Sequence, residues 1–351
     1  MIKKEDLYFV LFSVIALFCI GFFLTIPATP SDPLQYISPA LSPQDGFVFL
    51  DRIFLWLWIR LFALLPLNVE YVGGYATLAH SIIAYLVSAL WLIFRFGRIS
   101  LICFSLLYFL STAWLSILTY TYPMQGLTMF IILSLVFFDF IKGDKSYFAL
   151  GAGFTLAIFS KIQGFGFISG FFYTTYISLK LKSFKPIYFW TLGFFVIFIL
   201  LYLFLLVDGN SMLSLVKSYL QSNNMQQQFN GRGLGGLPPF YELLSKLPYI
   251  LSLFGLLYGL SFFNKKPEIF LVSYIGFSQL VFVILIYYIT QRGGPVIENY
   301  FLDSYTLGII SFSAIFSKFK VSSNSISHYF YLIPALPILS LVFYAYYLSY
   351  A

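Results

Sequence analysis

A chain of 351 residues that is 60% hydrophobic and only 9% charged does not stay dissolved in water, because a soluble domain carries about a quarter charged residues. A soluble enzyme is therefore excluded, and the shortage of charge also argues against disorder, a coiled coil and nucleic-acid binding. The 22% aromatic content suits a body solvated by lipid with Tyr and Trp at its rims, so the net charge of +7 has to be read by position.

A bilayer core of roughly 30 Å takes about 20 helical residues. Apolar runs of that order cover residues 7–26, 71–94, 99–118, 124–141, 147–160, 165–179, 186–207, 247–263, 269–289, 302–316 and 329–348. Helices are expected, since an open sheet leaves backbone groups unsatisfied in lipid, and the alternating strands of an outer-membrane barrel are absent. Run 7–26 is too long for a signal-peptide core and is expected to stay as a signal anchor. Cys19 and Cys103 lie in apolar runs and offer neither a disulfide framework nor metal-ligand spacing.

Basic residues test this count. Lys3/Lys4, Arg95/Arg98, Lys142/Lys145, Lys180/Lys182/Lys185, Lys265/Lys266 and Lys318/Lys320 form six clusters, and basic clusters at helix ends mark the cytoplasmic side. An even number of crossings must separate any two of them, and each of the five intervals holds one hairpin. The expectation is an all-α polytopic membrane protein of about eleven transmembrane helices, with the N-terminus inside and the C-terminus outside. It forms a single integral membrane domain over 1–351, with a first outer loop at 27–69 and a second large one at 208–246. This inside/outside asymmetry explains the basic composition without an anionic partner.

The outward segments hold most of the remaining polar chemistry. In the first loop, Asp32 precedes Pro33, the pattern of an N-cap followed by a favoured first helical residue. Asp32 either starts a helix over 34–41 or serves as a general base at the membrane surface, and the two roles are compatible. Residues 47–65 carry Asp51, Arg52, Trp56, Trp58 and Arg60, with 52, 56 and 60 on one stripe. A crossing here would put every later cluster on the wrong side, so the segment is expected to lie flat in the interface as a second juxtamembrane helix. Its arginines either snorkel to headgroups or bind a phosphate.

Further along, His80 is the one ionisable group in mid-run. It is either a functional group or a donor to a neighbouring helix carbonyl. In hairpin 147–179 the rising arm has about 14 residues, roughly 21 Å, so Lys161 is expected below the outer surface on the floor of a cavity, as a phosphate contact or a snorkelling cation. Segment 223–239 reads as a mobile loop with Arg232 and lacks the ending of a Walker loop. In the last hairpin, Arg292 and Glu298 form either a rim ion pair or cavity ligands.

Three regions together resemble the GT-C class of polytopic glycosyltransferases, in its protein O-mannosyltransferase and aminoarabinose-transferase branch. They are Ser31-Asp32-Pro33 with Tyr36, Asp51-Arg52 with Trp58, and Tyr122-Pro123-Met124 followed by Gly151-Ala152-Gly153 and Ser160-Lys161-Ile162-Gln163-Gly164. The resemblance covers residues 1 to about 185 and is weaker beyond. The paired first-loop acids and the second acidic dipeptide of many members are absent, and Arg292 is separated from Tyr300 where many members pair Arg with Tyr.

The resemblance implies an inverting hexosyl- or pentosyltransferase of the cell envelope, working on the outer face of a bacterial or archaeal cell membrane. Its donor would be a sugar on a polyprenyl phosphate and its acceptor a hydroxyl on a glycan, lipid or protein. Asp32 would be the catalytic base. Lys161, Arg52, Arg60 and Arg292 would hold the donor phosphate, while Tyr36, Tyr122, Gln163, Arg232 and Glu298 would contact substrate. This chemistry requires no metal and no cofactor. The runner-up is an O-antigen or exopolysaccharide polymerase centred on Arg232 and Arg292. A lipid-linked sugar flippase is a third reading, and would want related halves and a charged central cavity.

Overall fold

The computed structural model of the chain describes residues 3–24, 53–110, 124–207, 239–290, 301–318 and 333. Among them every regular element is helical: α1 (Lys4–Leu24), α2 (Ile53–Ala63), α3 (Val69–Phe96), α4 (Arg98–Phe109), α5 (Met124–Phe140), α6 (Ser146–Ile158), α7 (Ser169–Leu181), α8 (Lys185–Val207), α9 (Pro239–Gly259), α10 (Pro267–Thr290) and α11 (Leu302–Phe316). Two short 3-10 segments, Ile162–Ile168 and Leu260–Phe262, join α6 to α7 and follow α9. The all-α expectation holds for these residues. Every helix but α2 overlaps one of the first ten apolar runs, while run 329–348 lies outside the described residues except for Ile333. Four of the helices contain stretches long and apolar enough to cross a membrane: Lys4–Phe22, Val69–Phe96, Lys185–Leu206 and Pro267–Leu285.

Local chemistry sets several helix ends. Asn68 caps α3 by accepting from the Glu70 amide at 3.2 Å, which satisfies a donor that the first turn leaves orphaned. Gly97 ends α3 at φ +88, a conformation that side chains rarely adopt, and its amide donates to the Leu92 and Ile93 carbonyls. This sharp stop lets α4 begin at the next residue.

Polar contacts gather the basic clusters at one end of the bundle. The Arg98 guanidinium joins Asp6 and Glu5, the latter at 2.7 Å, and so ties the start of α4 to the start of α1. Arg95 and the Trp91 indole nitrogen both donate to Asp139, tying the end of α3 to the end of α5. Phe138 packs edge-on against Tyr147 of α6 and Tyr173 of α7. Tyr176 meets Phe263, and the Lys318 ammonium lies 3.9 Å over the Phe262 ring. Burial and the neighbouring Lys266 push the Lys318 pKa down. Clusters far apart in sequence thus share one end, the arrangement that an even number of passes between them demands.

Glycines let helices touch backbone to backbone at two seams. A Cβ on Gly151 of α6 would collide with the Trp190 carbonyl of α8, and one on Gly193 would collide with the Phe148 carbonyl. At the α9–α11 seam, Gly255 abuts Gly308, while Ser252 donates to the Tyr305 carbonyl at 3.0 Å and Ser311 to the Gly255 carbonyl at 2.9 Å. Small residues and interhelical hydroxyl bonds are the means of association available to helices in lipid, where apolar surfaces gain nothing by meeting.

Of segment 47–65, expected as a second juxtamembrane helix, the described residues form α2 (Ile53–Ala63), 11 residues long. Its first turn is buried on all sides: Phe54 meets Phe130 of α5, Trp56 meets Phe204 near the end of α8, and Trp58 of the next turn meets His80 of α3. The first juxtamembrane helix, expected over 34–41, lies outside the described residues. So does most of the second outer loop, although α9 is already helical from Pro239, ahead of the apolar run at 247–263.

Candidate functional site

The structure brings together a polar cluster around Lys161, at the turn where α6 ends. α6 has 13 residues, about 20 Å of rise, so a turn at its far end falls well short of a 30 Å hydrocarbon core. The Lys161 amide still donates to the Ala157 carbonyl at 3.1 Å, and its carbonyl accepts from Gly164 at 2.8 Å. Between these bonds Lys161 is extended, with φ −164 and ψ 145. Its side chain is 4% exposed. Gly164 makes this turn possible, because a Cβ there would run into the Ala157 backbone as the chain folds back on α6.

The 3-10 segment Ile162–Ile168 that follows is held chiefly from α10. Ser278 donates to the Gly166 carbonyl at 2.7 Å, and Ser169 does so at 3.1 Å. With the Gln279 amide oriented so that its nitrogen faces acceptors, that nitrogen donates to the Gln163 carbonyl at 2.7 Å and to Asp303 Oδ2 at 3.2 Å. Its oxygen accepts from the Phe167 amide at 3.2 Å. A Cβ on Gly166 would lie 2.9 Å from Gln279 Cα, so only glycine permits this approach. Asp303, in the first turn of α11, is 0% exposed. Among the described residues, the Gln163 side-chain oxygen has no hydrogen-bond partner.

Two corrections follow. The sequence pointed to His80 as the one ionisable group set within an apolar run, yet the structure also buries the Asp303 carboxylate completely. The signals missed were an acid at the second position of run 302–316 and an amide in the middle of run 269–289. His80 itself does not make the carbonyl bond weighed for it. Its ring is fully buried, sits edge-on to Trp58 at 4.7 Å between centroids, and among the described residues has no partner at either nitrogen. On another side, a Cβ at Gly126 would lie 3.3 Å from Nδ1.

Unmet buried polar atoms cost about 1–3 kcal/mol. His80→Leu is therefore expected to melt at or above the wild-type temperature in detergent. A fall of several degrees would make His80 a packing residue. Stability retained with turnover lost would mark it as functional.

Of the other expected site residues, Arg60 is described. Its guanidinium stacks 4.2 Å over the Trp56 ring, on the helix whose Trp56 meets Phe204 of α8. Phe159, two residues before Lys161, packs on Phe198 of the same helix, so the Lys161 turn lies just past the middle of α8, while α2 meets α8 nearer its Val207 end. Asp32, Tyr36, Arg52, Tyr122, Arg232, Arg292 and Glu298 lie outside the described residues. Among the described residues no group of three or more His, Cys, Asp or Glu side chains is placed to hold a metal ion.

No protein-family model and no curated protein matches the sequence. Among solved structures, the chain is similar to ArnT from Cupriavidus metallidurans. Against ArnT bound to undecaprenyl phosphate the identity is 13% and the TM-score 0.59, over 92% of this chain and 61% of that one. Against the apo state the identity is 14% and the TM-score 0.60, over 93% and 62%. This chain thus spans about three fifths of ArnT's length. At such identity the likeness is one of fold: the chain shares the helical architecture of ArnT.

Proposed function

We propose that this protein is an inverting glycosyltransferase that moves a sugar from a polyprenyl-phosphate donor to an acceptor hydroxyl at the outer face of the membrane. The observation that carries the reading is a buried lysine on a clamped turn, in a fold shared with a protein solved with undecaprenyl phosphate bound. By the positive-inside rule the basic end faces the cytoplasm, which puts the Lys161 turn on the outer side of an eleven-crossing chain.

The chemistry follows from the donor. The acceptor hydroxyl attacks the anomeric carbon as Asp32 takes its proton, which needs hydrogen-bond reach. The bond from the anomeric carbon to the phosphate oxygen breaks, and its electron pair leaves with the lipid phosphate. That leaving group is already anionic, so it needs charge neutralisation more than protonation, supplied by Lys161 with Arg52, Arg60 and Arg292. Tyr36, Tyr122, Gln163, Arg232 and Glu298 are the proposed contacts to sugar and acceptor. The acceptor is a glycan, a lipid or a protein.

A panel of polyprenyl-phosphate hexoses and pentoses, offered to the full-length protein in bacterial-lipid vesicles with a crude envelope acceptor fraction, tests the reading. The expected result is release of polyprenyl phosphate from at least one member, with inversion at the anomeric carbon of the product. Consumption of lipid diphosphate sugars alone would instead favour the polymerase reading.

A further inference from the structure

We infer that Gln279 and Asp303 are positioning residues that hold the turn carrying Lys161 in its working place; this rests on the proposed role of Lys161 at the donor phosphate. A 3-10 run of seven residues is long for a geometry whose hydrogen bonds are poor and whose side chains eclipse. It needs support from outside, and Gln279 supplies it at both ends. Its nitrogen meets the Gln163 carbonyl two residues after Lys161, and its oxygen meets the Phe167 amide. Ser278, the preceding residue of α10, holds the Gly166 carbonyl between them. Adjacent side chains of one helix thus bind three backbone groups of one turn.

Asp303 completes the device from a second helix. An amide side chain can turn over, exchanging donor for acceptor. Asp303 Oδ2 accepts from the Gln279 nitrogen, so only the orientation that also serves Gln163 and Phe167 satisfies it. Packing alone does not account for these residues. Gln279 and Asp303 are both fully buried, and an apolar side chain of similar size in either place avoids the cost of taking polar groups into lipid depth. What the polar pair adds is a unique register of the turn against α10 and α11.

The test uses full-length protein in detergent and undecaprenyl phosphate as the probe, with affinity read from ligand-induced thermal shifts over a concentration series. Gln279→Met keeps the volume and removes the amide. Asp303→Asn keeps an acceptor for Gln279, whereas Asp303→Leu does not. Gln279→Met and Asp303→Leu are expected to raise the dissociation constant about tenfold, and Asp303→Asn to stay within about threefold. In a Lys161→Met background, Gln279→Met should add less than about twofold, because residues acting through one another are non-additive.

Wild-type affinity in folded Gln279→Met, or full additivity with Lys161→Met, overturns the inference. If Gln279→Met does not fold, equal affinities for Asp303→Asn and Asp303→Leu overturn it. Wild-type affinity in Lys161→Met alone is a different failure, which removes the phosphate role of Lys161 itself.

Discussion

Asp32→Asn is expected to abolish sugar transfer while leaving the protein folded and still able to bind donor. The substitution keeps size and hydrogen-bonding shape, including the capacity to cap a helix, but the amide cannot accept the acceptor's proton. General-base removal typically costs 10²–10⁴-fold, about 3–5 kcal/mol of activation free energy. Uniform binding is untouched, so the loss should fall on kcat, with the donor KM within about threefold.

The geometry makes demands on this assignment. Asp32 follows the end of α1 at Leu24 by eight residues, a reach of at most about 28 Å. The end of α1 is held at the non-basic end of the bundle, where Phe22 stacks on Tyr75 at 5.1 Å. Single-turnover assays of Asp32→Asn with saturating donor, alongside its melting temperature, give the measurement. A rate within tenfold of wild type in folded protein would sink the base assignment and return Asp32 to a capping role.

How far the fold was legible depended on what lipid hides. Apolar length exposed the helices, because a crossing needs about 20 residues whatever its partners are. Charge parity is what sets residues 47–65 apart from the crossings. Neither signal reaches the interior. A soluble helix shows its buried face by amphipathic periodicity, whereas α10 and α11 have apolar residues on every side and their inward faces do not stand out by hydrophobicity. Gln279 and Asp303 therefore drew no reading from the sequence. The meeting of Gln279 with Gln163 and Phe167 joins positions more than a hundred apart. Lys161 drew attention for a different reason, a hairpin arm short for a membrane crossing, and the structure buries it in the protein. The roles of Asp32, Arg52, Tyr122 and Arg292 came from resemblance and chain order, and their places in space lie outside the described residues.

Lys161→Met is expected to weaken donor-lipid binding by roughly 10- to 100-fold, the range for a hydrogen bond to a charged group at about 1.5–3 kcal/mol. The lysine is 4% exposed, so bulk water and salt screen it less than a surface cation. A neutral side chain of similar length therefore removes most of the attraction to the phosphate while filling the same space. Since ligand stabilisation grows as RT ln(1 + [L]/Kd), a 30-fold weaker Kd lowers the ligand-induced stabilisation at saturation by about 2 kcal/mol, visible as a smaller thermal shift with undecaprenyl phosphate. The comparison is made between liganded and ligand-free samples of each variant, so any change in intrinsic stability cancels. Lys161→Arg separates charge from geometry: it keeps the cation but replaces a compact ammonium by a planar fork. If charge alone matters, the arginine variant binds near wild type; if the clamped turn sets a fixed distance to the phosphate, it stays weak. An unchanged thermal shift in Lys161→Met would remove Lys161 from the site.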